Sequence, residues 1–373
     1  MLASEVTGSV QEVDRPVKET NDGSACRHSA PAADAGAGSH VSRTKTTVSV
    51  EALSNHPCEP LKRRRRGLRS SVTAFIRRWR EYDLHKLSVG IGRVLLWPFP
   101  DSVYLRLGYR VFFGTWPDYR HPRSFNEHIH EYMLRCRDPM LSIPADKIKS
   151  RHYIAERVGA DVLVPLLGVW DRPEDVPLST LPRPLVLKPT AASGLVLIVR
   201  AEDELNEDEV RDQMRRWLRR CYSQVNREWC YRGVPRRLMA ETMLSDDCGG
   251  LPPDYKAYVI GGKVRFLQVD RGRFDQHTRN VYDPQWNPLP ARWTLQNHEP
   301  DLCPACLPRM IELAEILAEP FEFLRVDFYV IGQQLYIGEL TNYPGAGFER
   351  FIPSGYAWEI GKFWTGRPRS EDR

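Results

Sequence analysis

The tightest constraint in this 373-residue chain is the stretch "LRVDFYVIGQQLYIGELTNYPG" in its C-terminal third. Phe323 to Val330 is rich in large and β-branched residues and reads as a strand. Gly332-Gln333-Gln334 turns the chain, and Leu335 to Leu340 returns it as a second strand. A hairpin of this length brings Asp327 and Glu339 close together at one end of a sheet. Two neighbouring carboxylates repel unless positive charge lies between them. Their oxygens suit Mg²⁺, which is often held by one or two carboxylates plus substrate phosphates. Two solvated carboxylates on a surface hairpin would look the same, so the rest of the chain has to decide.

Composition narrows the class. Charged residues make up 27% of the chain and the mean hydropathy is −0.47, as expected of a water-soluble protein. The net charge of +5 is unevenly placed. Residues 61–80 hold nine Lys/Arg and no Asp/Glu; removing those nine from 53 leaves 44 basic residues against 48 acidic. The basic balance therefore reports one patch and not a nucleic-acid-binding body, so no nucleic-acid partner is expected. The eight cysteines are scattered, and reduced thiols are the expectation. Cys303-Pro304-Ala305-Cys306 is a lone CxxC; zinc would need two more ligands, and His298 is the only near candidate. No stretch reaches the ~20 apolar residues of a membrane span, and no basic n-region with an apolar core opens the chain. The expected location is cytoplasmic.

Residues 1–60 contain no Phe, Trp or Tyr, too little apolar surface to offset the entropy of ordering, and are expected to be disordered. Residues 61–100 form a basic amphipathic segment: the run Lys62 to Arg66 precedes Val72, Phe75, Ile76, Trp79 and Tyr82 at helical spacing. Residues 61–80 fit peripheral docking on an anionic membrane at its inner face, and equally a solvated run leading into a packed helix. A continuous α+β globule is expected over 101–373. Within it, Ile148 to Val158, Glu207 to Arg219 and Met310 to Leu317 read as helices, with Asn206 and Glu209 placed as a capping box. Leu185 to Val199 reads as two strands joined by "KPTAASG", Leu238 to Leu244 as another, and Tyr255 to Asp270 as a pair turning at Gly261-Gly262.

Four further pieces carry chemistry. Asp146-Lys147 opens a helix. Lys188 ends an apolar strand, followed by Thr190, Ser193 and Gly194. Glu241-Thr242-Met243-Leu244 ends another strand, followed by Asp246 and Asp247. Lys256 sits in "DYKAYVIGG". A triphosphate needs several cations, small turn residues with exposed backbone N–H groups, and a metal. Lys147, Lys188 and Lys256 are three widely spaced point charges that a fold can bring together.

The order of these pieces resembles the ATP-grasp superfamily. "FNEHI", "DKIKSRHYIAERVG", "VPLLGVWDRPEDVP", "LVLKPTAASG", "REWCYRGVPRRLMAETML", "DYKAYVIGGKVRFLQVDRGRFDQHTRNVYD", "LRVDFYV" and "GELTNYPGAGFERFIP" together resemble the TupA-like ATP-grasp family, named for teichuronopeptide biosynthesis, over roughly residues 120–360. The Asp-Lys, Arg-x-Asp and Glu-x-x-x-x-Pro-Gly blocks also resemble, less closely, those of D-alanine–D-alanine ligases. The resemblance implies an ATP-grasp fold, with two α/β subdomains clasping ATP between them. It implies ATP phosphate contacts at Lys147 and Lys188, a flexible loop over the triphosphate at Ser193 and Gly194, and an adenine contact at Glu241 with the Met243-Leu244 backbone. Asp246 or Asp247 would meet the ribose and Lys256 would be a further phosphate or nucleotide contact, acting with Arg325 in catalysis. Asp327 and Glu339 would hold Mg²⁺, and Arg325 would stabilise transition-state charge. Arg227, His277 and Arg279 match family-typical positions, with acceptor or anion binding as their guessed role.

Two departures stand out. The family pattern places Asn two residues after the metal-binding Glu, where this chain has Thr341, whose hydroxyl oxygen would join Asp327 and Glu339 as a metal ligand, with Asn342 next. The loop after Lys188 reads Ala191-Ala192-Ser193-Gly194 in place of a His-Gly-Ser-Gly-like run. The resemblance implies an ATP-dependent carboxylate–amine ligase working through an acyl phosphate, in cell-surface polysaccharide or glycan biosynthesis, with a small-molecule or glycan carboxylate and an amine as partners. The alternative, suggested by the altered loop, is an ATP-binding but catalytically degenerate scaffold in a glycan-assembly complex.

Overall fold

The computed structural model describes residues 99–246, 250–273 and 276–364. The segment 1–60, the basic segment 61–100 apart from its last two residues, Asp247 and residues 365–373 lie outside the described residues. Two antiparallel sheets dominate. The smaller has the order β1-β4-β2-β3, built from β1 (Leu166–Trp170), β2 (Leu185–Pro189), β3 (Leu197–Val199) and β4 (Leu238–Thr242). The larger has the order β10-β9-β5-β6-β7, built from β5 (Asp254–Ile260), β6 (Lys263–Arg271), β7 (Thr278–Tyr282), β9 (Phe323–Ile331) and β10 (Gln334–Thr341); the short β8 (Arg292–Trp293) lies apart.

Each sheet buries one face under a helix. In the smaller sheet, Leu185, Leu187, Leu197, Val199, Leu238 and Ala240 alternate onto one side. There they share a core with Val210, Met214 and Trp217 of α4 (Glu207–Arg219). Asn206 caps that helix by accepting from the Glu209 N–H, while Glu209 takes its hydrogen bond from the Asn206 side chain and not from its backbone, so the capping box is half formed. In the larger sheet, Ala257, Val259, Val326 and Phe328 face α5 (Leu307–Ala318), whose Met310, Leu313, Ala314 and Leu317 recur at helical spacing. The other face of each sheet carries the polar residues of the site.

The sequence expectations for helices at 148–158, 207–219 and 310–317 coincide with α3 (Lys147–Val158), α4 and α5, and the three expected hairpins are present. Two longer helices, α1 (Asp101–Phe113) and α2 (Phe125–Arg135), and a single helical turn at Ser142–Ala145 precede α3 among the described residues. No helix among the described residues is long and apolar enough to cross a membrane.

Candidate functional site

A cleft of about 410 Å³ lies between the polar faces of the two sheets, within the ~300–1,000 Å³ span of small-molecule sites. One wall comes from the smaller sheet. Val186 stands in register with Ile198 on β3 and Glu241 on β4, and Lys188 follows two residues later on the same face. The opposite wall comes from β5, β6, β9 and β10. There Glu339, Asp327 and Lys256 lie side by side in one row across three strands, and Arg325 and Tyr258 in the next.

Lys147 enters from the first turn of α3. Asp146 caps that helix through the Ile148 N–H at 2.9 Å, and the Lys147 N–H donates to the Thr190 carbonyl. The end of β2 and the start of α3 are thus tied together. Lys147 Nζ lies 3.1 Å from Glu339 and donates to the Ala192 carbonyl at 2.5 Å. Lys188 pairs with Glu241, which also accepts from Arg151 at 2.9 Å. Arg325 grips Asp327 through two bonds of 2.6 and 2.7 Å, with Glu339 a longer 3.9 Å away. Burial favours a protonated Glu339, but Lys147 and Arg325 outweigh it and hold its carboxyl down at about 2. The Arg325 guanidinium is held charged by Asp327 against its own burial.

Of the residues singled out from the sequence, Lys147, Lys188, Gly194, Glu241, Met243, Leu244, Asp327 and Glu339 line the cleft. Others do not. Lys256 was expected to meet phosphate; its ammonium is buried (5% exposed) between Asp254 and Asp327, 3.1 Å from the latter, and faces those carboxylates instead of the cleft. Ser193 is exposed, and its carbonyl accepts from Tyr222. Arg325 sits behind Asp327. Thr341 stands opposite Arg325 on the polar face but is not part of the lining. Its neighbour Asn342 turns into the core, donating to the Leu141 carbonyl at 2.8 Å. The Met243 N–H is taken by the Pro184 carbonyl.

Arg227 pairs with Asp101 and covers the Tyr104 ring, away from the cleft. Arg279 binds Asp270 through bonds of 2.7 and 3.2 Å and Glu349 at 3.0 Å, and His277 lies 3.4 Å from Asp270. Burial would raise the Asp270 carboxyl, but Arg279, with His277 and Lys256, holds it well below the carboxylate range. His298 is on Asp301 at 2.8 Å, and no group of three or more His, Cys, Asp or Glu able to hold a metal occurs among the described residues.

Sequence reasoning missed Val186, Ile198, Asp254, Asp270, Arg273 and Tyr329, all of which line the cleft. A signal existed for three of them: Val186, Asp254 and Tyr329 each lie two residues from a residue already singled out, and strand alternation puts such pairs on one face.

The two walls, one bearing a lysine and apolar side chains and the other a carboxylate pair, define a protein of the ATP-grasp class. The model of the family described as TupA-like ATPgrasp matches residues 127–364, and the chain belongs to that family. No curated protein matches the chain significantly. Among solved structures, the chain is similar to an ADP complex of N5-carboxyaminoimidazole ribonucleotide synthetase, with 15% identity over 60% of this chain and 51% of that one and a TM-score of 0.36. It is also similar to D-alanine–D-alanine ligase from Bacillus anthracis complexed with ATP (17% identity, 54% and 55%, TM-score 0.33). A third is an L-amino acid ligase from Bacillus licheniformis (12% identity, 69% and 56%, TM-score 0.36). The chain spans about half the length of each.

Proposed function

We propose that this protein is an ATP-dependent carboxylate–amine ligase. The observation that carries the reading is the joint lining of one cleft by Lys147, Lys188, Asp327 and Glu339, with Val186, Ile198, Met243 and Leu244 along the rest of it. These residues fit a nucleoside triphosphate and a hard divalent cation: apolar side chains for a base, ammonium groups for phosphates, and two carboxylates whose oxygens suit Mg²⁺. Mg²⁺ held by Asp327 and Glu339 would supply charge neutralisation for a phosphoryl group in transit.

This chain's own residues then do electrostatic and positional work. Lys147 and Lys188 rest on Glu339 and Glu241 and would exchange those partners for phosphate oxygens. Arg325, set behind Asp327 and fixed to it by two bonds, would hold that carboxylate in position for the metal. In the first half-reaction a substrate carboxylate oxygen takes the γ-phosphoryl group of ATP and ADP leaves. In the second, a neutral amine attacks the acyl carbon, inorganic phosphate departs, the nitrogen loses a proton, and an amide remains. The family's name points to cell-surface polysaccharide or glycan assembly as the setting, with a uronic or amino acid carboxylate as substrate.

The test is calorimetric binding of ADP and of a non-hydrolysable ATP analogue to the full chain, with and without Mg²⁺, followed by ADP-release screening over carboxylate–amine pairs. Lys188→Ala should weaken nucleotide binding at least tenfold. A wild-type protein that binds neither nucleotide would end the reading.

A further inference from the structure

The motif "FNEHI", for which the sequence offered no role, forms the start of α2, and each of its polar side chains has a specific partner. Ser124 caps the helix and Glu127 closes the capping box, accepting also from the Asp118 and Arg123 N–H groups. Phe125 meets the rings of Tyr258, Phe266, Trp293 and Phe323, so α2 packs against the end of the polar face that carries Arg325 and Asp327. That contact alone would anchor the helix. Asn126 and His130 do something else.

Both reach the turn that follows β10. Asn126 Nδ2 donates to the carbonyls of Gly347 and Glu349, each at 2.8 Å. His130 Nε2 lies 3.0 Å from the Ala346 carbonyl, and Nδ1 2.9 Å from the Tyr119 hydroxyl. A carbonyl only accepts, so Nε2 carries the proton and Nδ1 accepts from Tyr119. The turn needs outside support. Gly345, Ala346 and Gly347 are three successive left-handed residues with φ of 55°, 50° and 73°, and Ala346 is not a glycine. A Cβ on Gly347 would stand 2.5 Å from the His130 ring, so the clamp fits closely. On one side the turn continues Glu339 and Thr341. On the other it delivers Glu349, whose carboxylate binds Arg279, which in turn binds Asp270 on the cleft wall.

We propose that Asn126 and His130 are positioning residues, which clamp the 343–349 turn and through Glu349 and Arg279 fix Asp270 at the cleft wall. The clamp stands on the contacts above; its bearing on nucleotide binding rests on the ligase reading.

The test uses the full chain and the isosteric variant Asn126→Asp, which turns an acceptor toward two carbonyls. Amide hydrogen exchange should accelerate at least tenfold in peptides covering 339–349 and stay at the wild-type rate in β5. Exchange that is unchanged, or that rises evenly across the fold, would overturn the clamp. In parallel, Mg²⁺-dependent ADP binding should weaken at least fivefold at a temperature where the variant is fully folded. Glu349→Gln should weaken it similarly, and the double variant should be within twofold of the weaker single one. Faster local exchange with unaltered ADP affinity would refute the positioning role. A wild-type protein that binds no ADP would remove the ligase reading, and the exchange pattern would then decide the clamp by itself.

Discussion

Asp327 and Glu339 stand in register across β9 and β10, whereas Ile337, two residues before Glu339, stands opposite Phe328 on the other face. Strict alternation would put Ile337 and Glu339 on the same side. A bulge at Gly338 supplies the extra residue that reverses the order, leaving Ile337 and Leu340 in the core and Glu339 in the cleft. Glycine is required there because a Cβ would come 2.6 Å from the Tyr329 ring.

Gly338→Ala should therefore push against Tyr329 and turn Glu339 away from Asp327. The expected stability cost is about 1–3 kcal/mol, as for overpacking of a tight site, with a disproportionate loss of Mg²⁺-dependent nucleotide binding. Urea unfolding alongside calorimetry checks both; unchanged nucleotide affinity would show that the bulge does not matter to the site.

Lys256 leads to a different expectation from Lys188, although the two look alike in the sequence. Lys256 is buried between two carboxylates, so Lys256→Met leaves Asp254 and Asp327 without their shared cation. Removing one partner from a buried charge group costs roughly 3–5 kcal/mol. Lys188→Met, at the cleft wall, should cost far less stability and mainly nucleotide affinity. Denaturant midpoints for the two variants separate the cases, and equal midpoints would contradict the assignment of Lys256 as a structural ion.

The difference between these lysines also marks how far the sequence can be read. Periodicity and turn residues were enough to place the Asp327–Glu339 hairpin and the helices at 207–219 and 310–317, because those signals are local. The same local signals placed Lys188 on a strand and Lys147 on a helix. They could not show that Lys256 is enclosed by Asp254 on its own strand and Asp327 on another, since its partner Asp327 is 71 residues away. The flip at Gly338 was visible in principle: apolar residues at 335, 337 and 340 change spacing from two to three. The carbonyls held by Asn126 and His130 lie more than 200 residues downstream, beyond the reach of any spacing argument.

Glu339→Gln keeps the size of the side chain and removes its charge. Lys147 and Arg325 would lose the carboxylate they face, while the variant should stay folded because neither cation is fully enclosed by Glu339 alone. The Mg²⁺ dependence of ADP binding should fall at least tenfold, with metal-free binding changed much less. Equal losses with and without Mg²⁺ would argue against a metal-holding role for this carboxylate.

His130 makes stability depend on pH well above the carboxylate range. Burial pushes its pKa from 6.5 down to about 3, and that of His128, stacked on Trp364, to about 4. Both groups are depressed in the folded state, so the unfolded chain takes up protons first as pH falls. Their contribution is complete above pH 6.5 and is lost as pH falls toward those folded values, with a slope of about 1.4 kcal/mol per pH unit for each proton. Asp254, whose carboxyl burial pushes upward, acts in the opposite sense, and the contribution of Glu339, complete above pH 4.5, is lost only as pH falls below that value. The pH 5–6.5 window therefore belongs mainly to the histidines. Urea unfolding at pH 7.5, 6 and 5 should show falling stability in the wild type. His130→Gln, which keeps a donor for the Ala346 carbonyl, should show a slope shallower by about one proton; parallel slopes in the two proteins would refute the assignment.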